Sequence, residues 1–182
     1  VNIAETANAV AQTISGLETG ATVSILEDAA VVQTIDTAAD ATLTVLSSIA
    51  KGGGSVAITD AANVTLTANL AVSDMVAVAL DAVDTTALTV KSTGTLDIDT
   101  GLITGTDQLA TMSVTSDTAG GLVAVDDLAD ADSLTSLTVT AVGGNVTLGE
   151  IGGAGGTGSG TAEALAAITI NATAAADVVV DE

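Results

Sequence analysis

Short apolar–hydroxyl–apolar runs recur along this chain at a nearly constant step. Leu88-Thr89-Val90, Met112-Ser113-Val114, Leu137-Thr138-Val139 and Ile168-Thr169-Ile170 follow one another after 24, 25 and 31 residues. Each is trailed by a second apolar run: Leu96-Asp97-Ile98, Leu122 to Val125, Val146-Thr147-Leu148 and Val178 to Val180. Leu102, Leu128 and Ile151 close the first three units. The longest step contains an almost pure glycine stretch, Gly152 to Gly160. Discounting about six residues there keeps the period near 25. A looser version runs through the first half, at Val23-Ser24-Ile25, Leu43-Thr44-Val45 and Val64-Thr65-Leu66. A unit this short cannot bury its own apolar face, and stacking the units does so.

Within the runs, apolar and small polar residues alternate with period two, as in 21–26, 41–46, 55–59 and 63–67. Alternation rich in β-branched Val, Ile and Thr marks strands, and the Asp, Asn and Gly between them mark turns. The expected fold is all-β, a parallel β-solenoid (β-helix) with coils of about 25 residues. It occupies residues 1–182 as a single elongated domain, with the Gly-rich segment 152–160 as a loop insertion. About seven coils at ~4.8 Å each make a rod of roughly 34 Å. A β-sandwich of many short strands is the rival architecture. Short helices are expected, if anywhere, in the alanine-rich stretches 4–14, 71–82 and 161–167.

The chain has no Phe, Tyr, Trp, His, Cys or Pro. Aliphatic ladders fill a narrow solenoid interior without rings, whereas a sandwich core usually holds an aromatic anchor. Chemistry is restricted in the same way. No histidine base, cysteine nucleophile or arginine clamp is present, so an enzyme is not expected. Paired carboxylates of the glycosidase kind lack the aromatic platforms that sugar sites usually carry. The Gly152–Gly160 stretch lacks the Gly-Lys-Ser/Thr ending of a phosphate loop.

Twenty-three acidic residues stand against two lysines, Lys51 and Lys91, for a net charge of -21. With no cationic patch to displace phosphate counterions, neither nucleic acid nor an anionic membrane is an expected partner. No apolar run is long enough to span a bilayer as a helix, so membrane insertion is not expected either. A nearly one-signed surface is best tolerated outside the cell, where divalent cations are abundant. The expected location is therefore extracellular or at the cell surface. The first residue is Val1 rather than Met, which reads as a mature, processed or excised segment.

Calcium is the ligand this composition favours, since it takes six to eight hard oxygens and Asp, Asn, Thr and carbonyls supply them. The candidate metal residues are Asp99, Asp126, Asp127, Asp130, Asp132 and Glu150. Aligning the repeats makes Asp99 equivalent to Asp126, and Asp127 to Glu150, with Thr100 matching the latter pair one coil earlier. Stacked carboxylates that close repel unless a cation intervenes. Asp81 with Asp84, and Asp97 with Asp99, are weaker pairs. Asp is also an ordinary turn former, which explains many of these positions without any ion. The Thr-x-Thr spacing at Thr42 and Thr44, or Thr65 and Thr67, would order water or ice only on a face that repeats coil after coil. The outward positions Asp97, Ala124 and Thr147 do not repeat.

The recurring Leu134 to Val139 run followed by Val146-Thr147-Leu148, and the aromatic-poor acidic composition, resemble repetitive bacterial cell-surface proteins. The likeness is to the β-solenoid portions of S-layer proteins and of RTX-related adhesins, although the Gly-Gly-x-Gly-x-Asp nonapeptide is absent. Such a resemblance implies a secreted, self-assembling coat or filament, often calcium-dependent. The expected partners are other copies of the chain, as a homo-oligomer or polymer, with a cell-surface glycan as a further possibility. The alternative is a stalk or binding domain of a large secreted adhesin.

Overall fold

The computed structural model describes residues 2–3, 11–25, 32–47, 55–68, 72–92, 96–116, 121–129, 131–151, 164–173 and 176–180. Their strands are β1 (Asn2–Ile3), β2 (Gln12–Leu17), β3 (Ala21–Ile25), β4 (Val32–Ser47), β5 (Ser55–Ala68), β6 (Val72–Ala79) and β7 (Ala87–Ser92). They continue as β8 (Asp97–Thr104), β9 (Thr111–Ser116), β10 (Val123–Val125), β11 (Ser136–Ala141), β12 (Val146–Leu148), β13 (Ala167–Ala172) and β14 (Val178–Val180). Every pairing between them is parallel. Parallel neighbours one coil apart in sequence are what a β-solenoid requires, and that is the fold.

Each full coil visits three faces in turn. The first carries the start of β6 and β8, then β10, β12 and β14. The second carries β2, the starts of β4 and β5, the ends of β6 and β8, and the bridges from Ile103 to Leu128 to Ile151. The third carries β3, the ends of β4 and β5, then β7, β9, β11 and β13. Long β4 and β5 bend around the corner between the second and third faces. Asp40 and Asp60 absorb that bend at φ 59 and 63°, a left-handed conformation that Asp tolerates better than most residues.

The pleat puts alternate residues inward. On the third face Val23, Val45, Leu66, Val90, Val114 and Val139 form one continuous inward row, each fully buried. Leu43, Val64, Leu88, Met112 and Leu137 form the row beside it, also buried. Each such side chain contributes about 1.5–3 kcal/mol by leaving water. The predicted order Leu88, Met112, Leu137, Ile168 is the observed register.

Corners interrupt the backbone ladder, and side chains close the gap to the neighbouring coil. The Thr85 hydroxyl donates to the Ala61 carbonyl at 2.8 Å, and Thr135 to Ala110 at 3.0 Å. The Leu122 amide donates to Asp97 Oδ1 at 2.7 Å, and the Asp177 amide to Asn145 Oδ1 at 3.0 Å. Thr106 bonds the Ala129 carbonyl in the same way. A good part of the threonine and aspartate content thus serves to tie one coil to the next at the corners.

Several sequence expectations need correction. The stretch 71–82 holds strand β6 rather than a helix, because β5 and β8 pair with its backbone. Gln12–Leu17 is likewise a strand, while residues 4–10 and 161–163 lie outside the described set. Val23 aligns with Val45, not Leu43, because that coil is 22 residues long. Ile103, not Leu102, is the inward residue of its coil; Leu102 is exposed. One outward column of hydroxyl residues does repeat on the third face, Thr22, Thr44, Thr65, Thr89, Ser113, Thr138 and Thr169, but the Thr-x-Thr pair does not, since Thr42 pairs with Asn63 and Thr67 with Lys91. The Gly-rich segment 152–160 lies outside the described residues. Among the described residues no helix is long and apolar enough to cross a membrane.

Candidate metal centre

The corner between the second and third faces carries acidic residues in successive coils: Glu18, then Asp36 and Asp40, Asp60, Asp81 and Asp84, Asp107, and Asp132. The cause is local. A corner exposes amides that have lost their ladder partners, and a carboxylate accepts them. Asp81 shows this most clearly. Its Oδ2 accepts the Asp60 amide of the preceding coil at 3.1 Å, and its Oδ1 accepts the Val83 amide at 2.9 Å.

Asp60, Asp81 and Asp84 converge here, each with a carboxylate oxygen within 4.8 Å of the other two. The bend of β5 supplies Asp60, and the turn between β6 and β7 supplies the other two. Asp36 adjoins them, its Oδ1 accepting the Thr59 hydroxyl at 3.1 Å. Partial desolvation holds the Asp60 carboxyl above its ordinary value; its hydrogen bond to Asp36 and the charges of Asp36, Asp84 and Asp81 push the same way. Asp81 moves in the opposite direction, because the Val83 and Asp60 amides stabilise its charged form against the opposing effect of desolvation. Three half-buried carboxylates at this spacing form a surface cluster able to coordinate a metal ion.

The residues singled out from sequence fall in three places. Asp126, Asp127 and Glu150 share the bend between the first and second faces. Asp127 and Glu150 are equivalent there, and the Glu150 amide donates to Asp127 Oδ1 at 3.0 Å. Asp99 lies in β8, paired with Asp74 and Ala124 rather than with Asp126. Thr100 pairs with Val125 and faces the interior, so it is not one coil before Asp127. Asp132 is exposed on the acidic corner, and Asp130 lies outside the described residues.

Asp60 escaped sequence reasoning because it stands alone between Thr59 and Ala61. The available signal was its distance of 21 residues from Asp81, one short coil. Comparison with known proteins gives no matching family model, no matching curated protein and no matching solved structure.

Proposed function

We propose that this chain is a structural, self-assembling component of a cell-surface or extracellular layer or filament of the S-layer kind, with divalent cations, calcium first among them, bound at its acidic corner. One observation carries this reading, the exposure of apolar residues on β13 and β14. Leu137 and Val139 are fully buried, whereas the next residues in the same rows, Ile168 and Ile170, are 54% and 51% exposed. Val179 and Val180 of β14 are exposed too. Among the described residues β13 pairs only with β11 and β14 only with β12, so this coil offers an apolar face and open strand edges that another parallel coil would cover.

The Asp60, Asp81 and Asp84 cluster supports the cation part, since hard oxygen donors suit calcium. No catalytic role is proposed, because the chain lacks histidine, cysteine and arginine.

Negative-stain microscopy of the purified chain, in calcium and then in chelator, tests this. Ordered fibres or sheets that dissolve in chelator are expected. Isolated short rods under both conditions would overturn it in favour of a second reading from the same open end. In that reading the chain is a stalk or binding domain of a large secreted adhesin, where a further coil of a longer polypeptide covers Ile168 and Ile170. Saturable binding of a cell-surface glycan by the monomer would support the stalk.

A further inference from the structure

We infer that the third face is a lateral interface, on which a second copy of this chain packs side by side with the rods parallel. This adds a second contact to the end-on assembly proposed above and rests on that reading. Three observations lead to it.

The first is charge. The segments that build the third face, 21–25, 41–47, 63–68, 87–92, 111–116, 136–141 and 167–172, contain no Asp or Glu, in a chain of net charge -21. Carboxylates occupy the other two faces and the corners, at Asp97, Asp99, Asp36, Asp126 and Asp127 among others. Two such chains can approach closely on this face without meeting like charge.

The second is surface chemistry. The outward column Thr22, Thr44, Thr65, Thr89, Ser113, Thr138, Thr169 is uninterrupted over seven coils. Each hydroxyl both donates and accepts, so the column is complementary to itself. Its repeat is the strand spacing, and the surface that matches that spacing best is the same column on another copy. Six intervals of ~4.8 Å by five residues of ~3.3 Å give a face on the order of 500 Å². Two such faces together bury about 1,000 Å², where specific association begins.

The third is complementarity at one height. Lys91 stands at the far end of β7, in the outward row of Thr67 and Thr115. Asp81 and Asp84 occupy the turn that leads into the near end of the same strand. A two-fold axis parallel to the rods reverses strand direction across the interface and keeps heights equal. It sets Lys91 of each copy opposite the partner's acidic corner at Asp60, Asp81 and Asp84. The lysine then neutralises across the interface a cluster that repels itself within one chain.

Sedimentation equilibrium of the whole chain, in chelator so that cation bridging does not contribute, tests this. Wild type should dimerise with concentration. Thr89→Asp should abolish the dimer, and Lys91→Glu should weaken it by about tenfold or more, as two charge pairs are lost per dimer. Lys91→Glu combined with Asp84→Lys should restore it, which a folding defect would not. Circular dichroism and melting of each variant establish that the coil is intact. A wild type that stays monomeric, or a dimer indifferent to Thr89→Asp and Lys91→Glu, would overturn the inference. So would ice shaping by the monomer, which would assign the column to ordered water. With calcium restored, end-on fibres without lateral pairs would remove this interface alone, and absence of any assembly in calcium as well as in chelator would remove the proposed function with it.

Discussion

Two threonines of the interior, Thr85 and Thr100, are both fully buried yet differently placed. The Thr85 hydroxyl donates to the Ala61 carbonyl of the preceding coil at 2.8 Å. The Thr100 hydroxyl points into the solenoid beside Val125 and has no hydrogen-bond partner. Thr85→Val should therefore destabilise by about 1–2 kcal/mol, whereas Thr100→Val should be neutral or stabilising by about 1 kcal/mol. Urea melts of the two variants check the opposite signs; equal losses would contradict the assignment of partners. Gly149 is a second test at this scale. A Cβ there would meet the Asp126 carbonyl oxygen at 1.5 Å and Asp127 Oδ1 at 2.6 Å. The first of these is backbone, so the bend itself must shift. Gly149→Ala should cost about 2–4 kcal/mol by the same melts.

Among the elements, β11 and β13 carry the same pattern with different consequences. Leu137 is fully buried and Ile168, its neighbour in register, is 54% exposed. Leu137→Ala should cost about 2–5 kcal/mol through the cavity it leaves. Ile168→Thr together with Ile170→Thr should change the melt little and reduce end-on association, as light scattering against concentration would report. The register of β7, β9, β11 and β13 was legible because their triplets keep both alternation and a steady step of 24 or 25 residues before the glycine stretch. The first half was read two residues out at Val23 because Leu43 and Val45 are both apolar at the same alternation, and the 22-residue coil pairs Val23 with the second of them. Strand β6 was missed as a strand because Val-Ser-Asp-Met-Val-Ala-Val-Ala lacks strict alternation and pairing to its neighbours decides its conformation. The acidic corner was only half legible for a related reason. Asp81 and Asp84 are near neighbours in sequence, but Asp60 joins them through the fold.

For the whole molecule, charge sets the response to acid and to cations. The raised Asp60 carboxyl binds its proton more tightly in the folded state. Its cost to stability is absent below the ordinary carboxylate pKa, grows as pH rises through the window between that and the raised value, and stays in full above it. Asp81, with its depressed value, stabilises above the ordinary pKa and loses that contribution as pH falls toward the depressed one. Asp60→Asn should therefore melt higher than wild type at neutral pH in chelator, with little difference in strong acid. In calcium the order should narrow or invert, because the variant loses a charged ligand. Thermal melts across pH, with and without calcium, check both halves. An identical calcium response in wild type and variant would remove this corner as a cation site.

The parallel stacking has a mechanical corollary. Each coil holds its neighbours by ladders that run across the rod, so tension between the two ends loads them in sequence instead of all at once. The rod should come apart one turn at a time, each release adding about 80 Å of slack chain for some 24 residues. Such a molecule yields gradually under load and dissipates work, as a tether or coat exposed to shear must. Force spectroscopy would record this as a train of small, similar peaks in place of a single rupture.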